Sequence, residues 1–141
     1  MNIEALISAL RTDEGLRLKP YMDTAIPPRI TIGYGRNLSD RGISVGEAGD
    51  MLYRDAIEAQ RIAAALVPNW LRVDDVRQNV VANMAFNLGA GGLKKFQNFL
   101  AAVNDGRYAE AADHMKDSAW YGQVKGRAQR LAEEMRTGVV V

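Results

Sequence analysis

Two acidic residues, Glu14 and Asp23, have the types and spacing that could cleave a glycosidic bond by acid–base chemistry. Ile3, Ile7, Leu10 and Glu14 step by four, three and four, as on one face of a helix. We expect Glu14 to be partly desolvated, which favours the protonated form that a general acid needs. Asp23 follows in a loop, where we expect it to be ionised. Two carboxyl groups in unlike environments suit glycoside hydrolysis, although two solvated acids explain the spacing more simply.

The hydrophobic pattern predicts the elements that position these acids. A helix is predicted over residues 2–12, and short strands with Pro and Gly at their ends over 16–35. Ser44 and Glu47 form a capping box that opens a helix of about twenty residues, which Pro68 ends. Further helices are predicted over 76–88 (ending at Gly89), 93–103, 107–116 and 126–136.

These elements predict an α+β fold that is mainly α. A small N-terminal antiparallel β lobe, residues 15–44, would be joined by the long helix to a C-terminal helical bundle. Residues 1–12 and 67–141 would form the helical lobe, and residues 1–141 a single domain.

The composition excludes several kinds of protein. There are 18 basic and 17 acidic residues, so the net charge of +1 does not indicate nucleic-acid binding. The absence of cysteine excludes disulfides, and a single histidine, His114, argues against a zinc site or a Ser-His-Asp triad. No apolar run reaches the length of a transmembrane helix, and the N-terminus does not resemble a signal peptide.

Several motifs in one order resemble T-even phage-type lysozymes, the endolysins of glycoside hydrolase family 24. The signature EGLRLKPYMDT, followed by ITIGYGRNL, is similar to the catalytic signature of that family. The resemblance continues through NMAFNLG (83–89), SAWYGQ (118–123), RAQR (127–130) and RTG (136–138), and so covers nearly the whole chain. It implies the lysozyme fold, with no metal or organic cofactor.

The resemblance also implies roles for individual residues. Glu14 would protonate the leaving oxygen, Asp23 would orient or activate water, and Thr31 would hold that water. The family inverts configuration, which requires the carboxyl groups to be about 6.5–9.5 Å apart. Arg127 matches an arginine that faces the catalytic glutamate. The positions that match substrate contacts are Asn37, Phe86, Asn87, Phe99 and His114.

Two departures from the family pattern affect these roles. Seven residues, TAIPPRI, separate Asp23 from Thr31, two more than is usual, so Thr31 could be displaced from Asp23. Arg36 replaces a histidine that pairs with an acid on the following helix in many members. Asp55 matches that acid, so we predict an Arg36–Asp55 ion pair.

The resemblance implies a muramidase that hydrolyses the β-1,4 bond between N-acetylmuramic acid and N-acetylglucosamine in peptidoglycan. We expect a monomer, because the predicted elements leave no unexplained apolar face. A lytic transglycosylase is one alternative, although such enzymes work without the aspartate that is present here as Asp23. A non-catalytic peptidoglycan-binding domain is another. The chain would be made in the host cytoplasm without a signal peptide or membrane insertion. It would reach the periplasmic wall after a holin permeabilises the membrane.

Overall fold

The computed structural model describes residues 2–141, which form seven helices and three short strands. The elements are α1 (Ile3–Glu14), β1 (Arg17–Met22), β2 (Ile30–Gly33), β3 (Arg36–Asn37), α2 (Val45–Leu66), α3 (Asp75–Lys94), α4 (Gln97–Asn104), α5 (Tyr108–Lys116), α6 (Ala119–Val124) and α7 (Gly126–Thr137), with a 3₁₀ turn at Trp70–Arg72. The predicted α+β, mainly α class is confirmed. Residues 2–50 and 51–141 form two compact units, and the single domain over 1–141 stays a prediction.

The first unit contains the antiparallel sheet, in the order β1-β2-β3. Tyr21 lies opposite Thr31, and Thr31 also lies opposite Asn37 on β3. Residues directly opposite one another in an antiparallel pair project to the same face. The central strand therefore presents Thr31 between side chains of both neighbouring strands.

The capping box predicted at Ser44 is present at the start of α2. The Glu47 backbone N–H donates to Ser44 Oγ (3.1 Å), and the Ser44 N–H donates to Glu47 Oε2 (2.7 Å). These reciprocal bonds satisfy two backbone donors that a helix start leaves free. They also fix the Glu47 carboxylate at the end of the β region.

The second unit is built around a core of apolar side chains from α3 to α7 and the end of α2. Its largest fully buried side chains are Phe99, Met84, Leu93, Met115, Leu131, Met135, Val67, Val80, Val81 and Val103. Gly89 was predicted to end a helix, and its backbone is non-helical there (φ 69°, ψ 174°). Asp75–Lys94 therefore consists of two helical segments that meet at a kink at Gly89, as the prediction requires. The short helix α6 was not predicted.

Arg77 on α3 ties that helix to the C-terminus of α7. Its Nε and Nη2 donate to the carbonyls of Met135 (2.7 Å) and Arg136 (3.0 Å). A Cβ at Gly138 would lie only 2.7 Å from Arg77 Nη1. The glycine of the RTG motif, Gly138, therefore leaves room for the Arg77 guanidinium, which satisfies carbonyls that the end of α7 leaves unpaired.

None of the described helices is both long enough and apolar enough to cross a lipid bilayer. Within residues 2–141, no group of three His, Asp or Glu side chains is placed to hold a metal ion.

The predicted Arg36–Asp55 ion pair is wrong, because the acidic partner of Arg36 is Glu47. Arg36 Nη1 and Nη2 donate to the two carboxylate oxygens of Glu47 at 3.0 and 2.7 Å. Glu47 lies in the first turn of α2, where the capping box already directs its carboxylate back toward the strands. Asp55 is eight residues farther along, about 12 Å of helix. The Arg36 bonds, followed by that from the Ser44 backbone, lower the pKa of Glu47 to about 2.

We predict that Glu47→Gln lowers the melting temperature at pH 7. Glutamine can keep the capping-box bond, so the substitution removes mainly the charge that faces Arg36. Because the folded-state pKa of Glu47 is depressed, its stabilisation is present above the unfolded value of about 4.3 and is lost as pH falls through about 2. Thermal unfolding followed by circular dichroism should therefore show wild type and variant converging as pH approaches 2.

Asp55→Asn is the matched control for this prediction, since it removes one carboxylate from the same helix. Its melting temperature should follow wild type across the pH range. A large effect of Asp55→Asn, with none of Glu47→Gln, would restore the original pairing.

Candidate active site

Glu14 is the last residue of α1, and its carboxyl lies against the turn between β2 and β3. An ideal Cβ built on Gly35 would lie 2.6 Å from Glu14 Oε2 and 3.1 Å from its Cδ. A side chain at this position would therefore displace the end of the Glu14 side chain. The group that lies closest to this position is thus the Glu14 carboxyl of the same unit.

The predicted desolvation of Glu14 is not observed, because α1 has no buried residue. Ile3 and Leu10, which begin and continue the stripe that leads to Glu14, are 53% and 43% exposed. Glu14 itself is exposed, and its carboxyl lies where a side chain at Gly35 would meet it.

Asp23 closes the loop between β1 and β2 with one carboxylate oxygen. Its Oδ1 accepts hydrogen bonds from the backbone N–H of Ala25 (3.0 Å) and of Arg29 (2.8 Å). The Asp23 N–H in turn donates to the Arg29 carbonyl at 2.9 Å. Asp23 and Arg29 thus form the last pair of the hairpin, and no bond within residues 2–141 engages Asp23 Oδ2.

The longer interval between Asp23 and Thr31 does not break the register of the hairpin. Met22 lies opposite Ile30, so the pairing from Asp23–Arg29 to Tyr21–Thr31 is continuous and residues 24–28 form the loop. Asp23 and Thr31 are therefore diagonal neighbours on one face, a relation that corresponds to about 7–8 Å. The insertion therefore lengthens the loop without shifting the strand register, and the catalytic role of Thr31 stays a prediction. We call the surface formed by Tyr21, Asp23, Arg29, Thr31 and Asn37 the Asp23 face.

Thr31 and Asn37 have local contacts on this face. Thr31 is 4% exposed, and its hydroxyl donates to the Arg29 carbonyl at 3.4 Å. The Asn37 side chain donates to Asp40 Oδ2 (3.0 Å) and accepts from the Asp40 N–H (3.0 Å). Asn37 thus holds the turn after β3. Its role as a substrate contact stays a prediction, as do the catalytic roles of Glu14, Asp23 and Thr31.

In the second unit, Phe86 and Arg127 border one depression of about 350 Å³. Phe86 is 45% exposed, so its ring has surface available to a ligand. Arg127 donates through Nε to Asn83 Oδ1 at 2.8 Å and through Nη2 to the Asn83 carbonyl at 3.3 Å. Asn83 is the partner that sequence reasoning missed, although it opens the NMAFNLG motif. That Arg127 supports Glu14 stays a prediction.

Three other predicted substrate contacts have structural partners in the second unit. Asn87 Oδ1 accepts the indole N–H of the buried Trp120 at 2.8 Å. Phe99 is only 1% exposed, and its ring packs edge-on to Phe96. A sugar contact through the Phe99 ring is therefore corrected to a core contact, because the apolar face of α4 is turned inward. His114 is partly exposed, and its Nε2 lies 3.4 Å from Glu110 Oε1.

Comparison with known proteins agrees with this fold. The family model described as phage lysozyme matches residues 11–134. The chain is 34% identical over 95% of its length to the pre-baseplate central spike protein of Enterobacteria phage T4, and 30% identical over 92% to an endolysin of Bacillus phage PZA. It spans 28% and 53% of those two proteins. A probable T4-type lysozyme of Dictyostelium discoideum is 26% identical and is covered over 97% of its length.

We predict that Gly35→Ala lowers any catalysis that depends on Glu14 by about 10- to 100-fold, because the new methyl displaces the Glu14 carboxyl by about an ångström. Gly33→Ala is the control, since Gly33 has nearly the same φ (68° against 72°) but no atom within 4 Å of its ideal Cβ. Both variants should lose similar stability from backbone strain. Initial rates normalised to folded protein separate the loss of stability from the displacement of the Glu14 carboxyl. An equal loss of rate in Gly35→Ala and Gly33→Ala would remove the Glu14 explanation.

We predict that Asp23→Asn keeps the loop but loses most activity. The asparagine oxygen can still accept the N–H bonds of Ala25 and Arg29, so the melting temperature should change little. Asp23→Ala removes both bonds and should cost about 1–2 kcal/mol of unfolding free energy. Urea titrations paired with rate measurements test this. If Asp23→Asn unfolds as readily as Asp23→Ala, the loop depends on the charge and not on the acceptor.

Proposed function

The chain belongs to the phage lysozyme family, a family of glycoside hydrolases, and on this basis we propose that it is a muramidase. Its substrate is peptidoglycan, and the bond cleaved is the β-1,4 bond between N-acetylmuramic acid and N-acetylglucosamine. The observation that most supports this proposal is the shared Asp23 face, on which the hairpin register keeps Asp23 and Thr31 together despite the longer loop.

Glu14 acts as the general acid in this proposal. It protonates the glycosidic oxygen as the bond to the departing sugar breaks. An exposed carboxyl at the end of a helix can reach a polymeric substrate, and the turn at Gly35 limits the positions that it can adopt. Positioning of this kind matters because small displacements of a catalytic group cost large factors in rate.

Asp23 and Thr31 position the water that attacks the sugar from the opposite side. Fixing Asp23 Oδ1 by two backbone N–H groups leaves Oδ2 as the oxygen that accepts a proton from water. Thr31 offers a hydroxyl on the same face. This assignment gives inversion of configuration, the outcome expected when an acid and a base act on opposite faces of the ring.

The cellular setting is part of the same proposal. Relatives include a protein named endolysin and one named a pre-baseplate central spike protein. For this chain we infer action on periplasmic peptidoglycan, with a holin providing passage from the cytoplasm.

The proposal predicts that purified protein releases reducing muropeptides from peptidoglycan. Glu14→Gln should lower the rate by about 10²–10⁴-fold, since amide nitrogen cannot donate the proton. Mass spectrometry of the products identifies the bond, and proton NMR of early time points identifies the anomer, which should be inverted.

Other products would contradict parts of this proposal. A 1,6-anhydro product would replace hydrolysis with lytic transglycosylase chemistry. Wall binding without product release would replace catalysis with a binding function. Full activity in Glu14→Gln, with folding verified by circular dichroism, would remove Glu14 from the mechanism.

A further inference from the structure

Arg29 places a cation on the Asp23 face, directly opposite Asp23 on the neighbouring strand. Its Nε lies 2.8 Å from Asp40 Oδ2, and its side chain is 34% exposed. Neither terminal nitrogen of Arg29 is bonded to any of the residues that the structure describes. Arg29 therefore keeps two nitrogens with free donors, and the ion pair to Asp40 limits the motion of the guanidinium.

A second guanidinium lies on the same face. The Arg17 Cζ is 4.1 Å from the centroid of the Tyr21 ring, and Tyr21 is the residue opposite Thr31. Arg17 forms no ion pair with a carboxylate among residues 2–141. Stacking on an aromatic ring holds a guanidinium without using its hydrogen-bond donors. Two arginines with donors to spare thus lie on the surface that contains Asp23 and Thr31.

The chemistry of the substrate explains why cations beside a catalytic carboxylate would be useful. Glycan strands of peptidoglycan carry short peptides with free carboxylates, whereas the sugars at the scissile bond are uncharged. Guanidinium groups bind carboxylates through paired N–H donors in a planar geometry. A negatively charged stem peptide would otherwise be repelled by Asp23 and Asp40.

We propose that Arg29, assisted by Arg17, binds a carboxylate of the peptide stem and thereby determines which glycan units enter the site. This inference rests on the proposed function and deepens it. Arg29 belongs to the TAIPPRI interval in which the chain departs from its family, so the longer loop would add a specificity contact next to Asp23. Asp40 holds the guanidinium by Nε and leaves the outer edge for the ligand.

The test compares native peptidoglycan with the same material after its carboxylates are converted to amides by carbodiimide and ammonia. Wild type should have a kcat/KM about 3- to 10-fold higher on the native wall, the size expected for a charge-assisted contact at a partly exposed site. Arg29→Gln should lose that factor on the native wall and stay within about twofold of wild type on the amidated wall.

Two variants separate recognition from structure and from general charge. Asp40→Asn removes the partner of Arg29 but keeps the cation, so it should retain the preference for the native wall. Arg61→Gln removes another ion-paired arginine, bound to Glu58, and should leave the ratio of the two rates unchanged. Equal losses on both walls in Arg29→Gln would overturn the proposal and make the Arg29–Asp40 pair structural.

A binding assay keeps this result independent of catalysis. Glu14→Gln should sediment with native walls more than with amidated walls, and the double variant with Arg29→Gln should not discriminate. If wild type releases no product from either wall, the proposed function fails while this binding assay still decides the role of Arg29. The absence of discrimination in Glu14→Gln would overturn the stem-peptide proposal.

Discussion

The hydrogen bonds to a single oxygen, Asp23 Oδ1, are the interaction on which the candidate site depends. These bonds engage the N–H groups of Ala25 and Arg29, and so define where the loop ends and the pairing between β1 and β2 resumes. Because side chains alternate along a strand, a slip of one residue would turn Thr31 to the opposite face. The same bonds keep Arg29 opposite Asp23, so Asp23, Thr31 and the adjacent cation share one constraint.

The sequence predicted the parts of this unit that depend on local patterns. The capping box at Ser44 and Glu47 and the short strands follow from residue types at fixed spacing, and both are present. The register across TAIPPRI could not be predicted, since loop length alone does not say which residues form its last pair. That pair depends on a side chain bonding to the backbone six residues away.

The mistaken assignments have a related physical cause, because sequence position does not identify the partner of a long or apolar side chain. An arginine can reach acids on several turns of a helix, and Arg36 binds the one that the capping box has already oriented. Phe99 lies at a position that matches a ligand contact, yet apolar periodicity on α4 is equally compatible with a ring in the core. In both cases packing between elements, which local periodicity does not contain, decided the outcome.

The two carboxyl groups of the candidate site have different local surroundings. Asp23 is held by hydrogen bonds to backbone N–H groups of its own loop. The length of residues 24–28 can therefore vary as long as a backbone N–H still faces Oδ1. Glu14 has no hydrogen bond to the described residues, and its carboxyl lies where a Cβ at Gly35 would need to be. That arrangement depends on the absence of a side chain at one position. A change in the length of the Asp23 loop is therefore easier to accommodate than a substitution at Gly35.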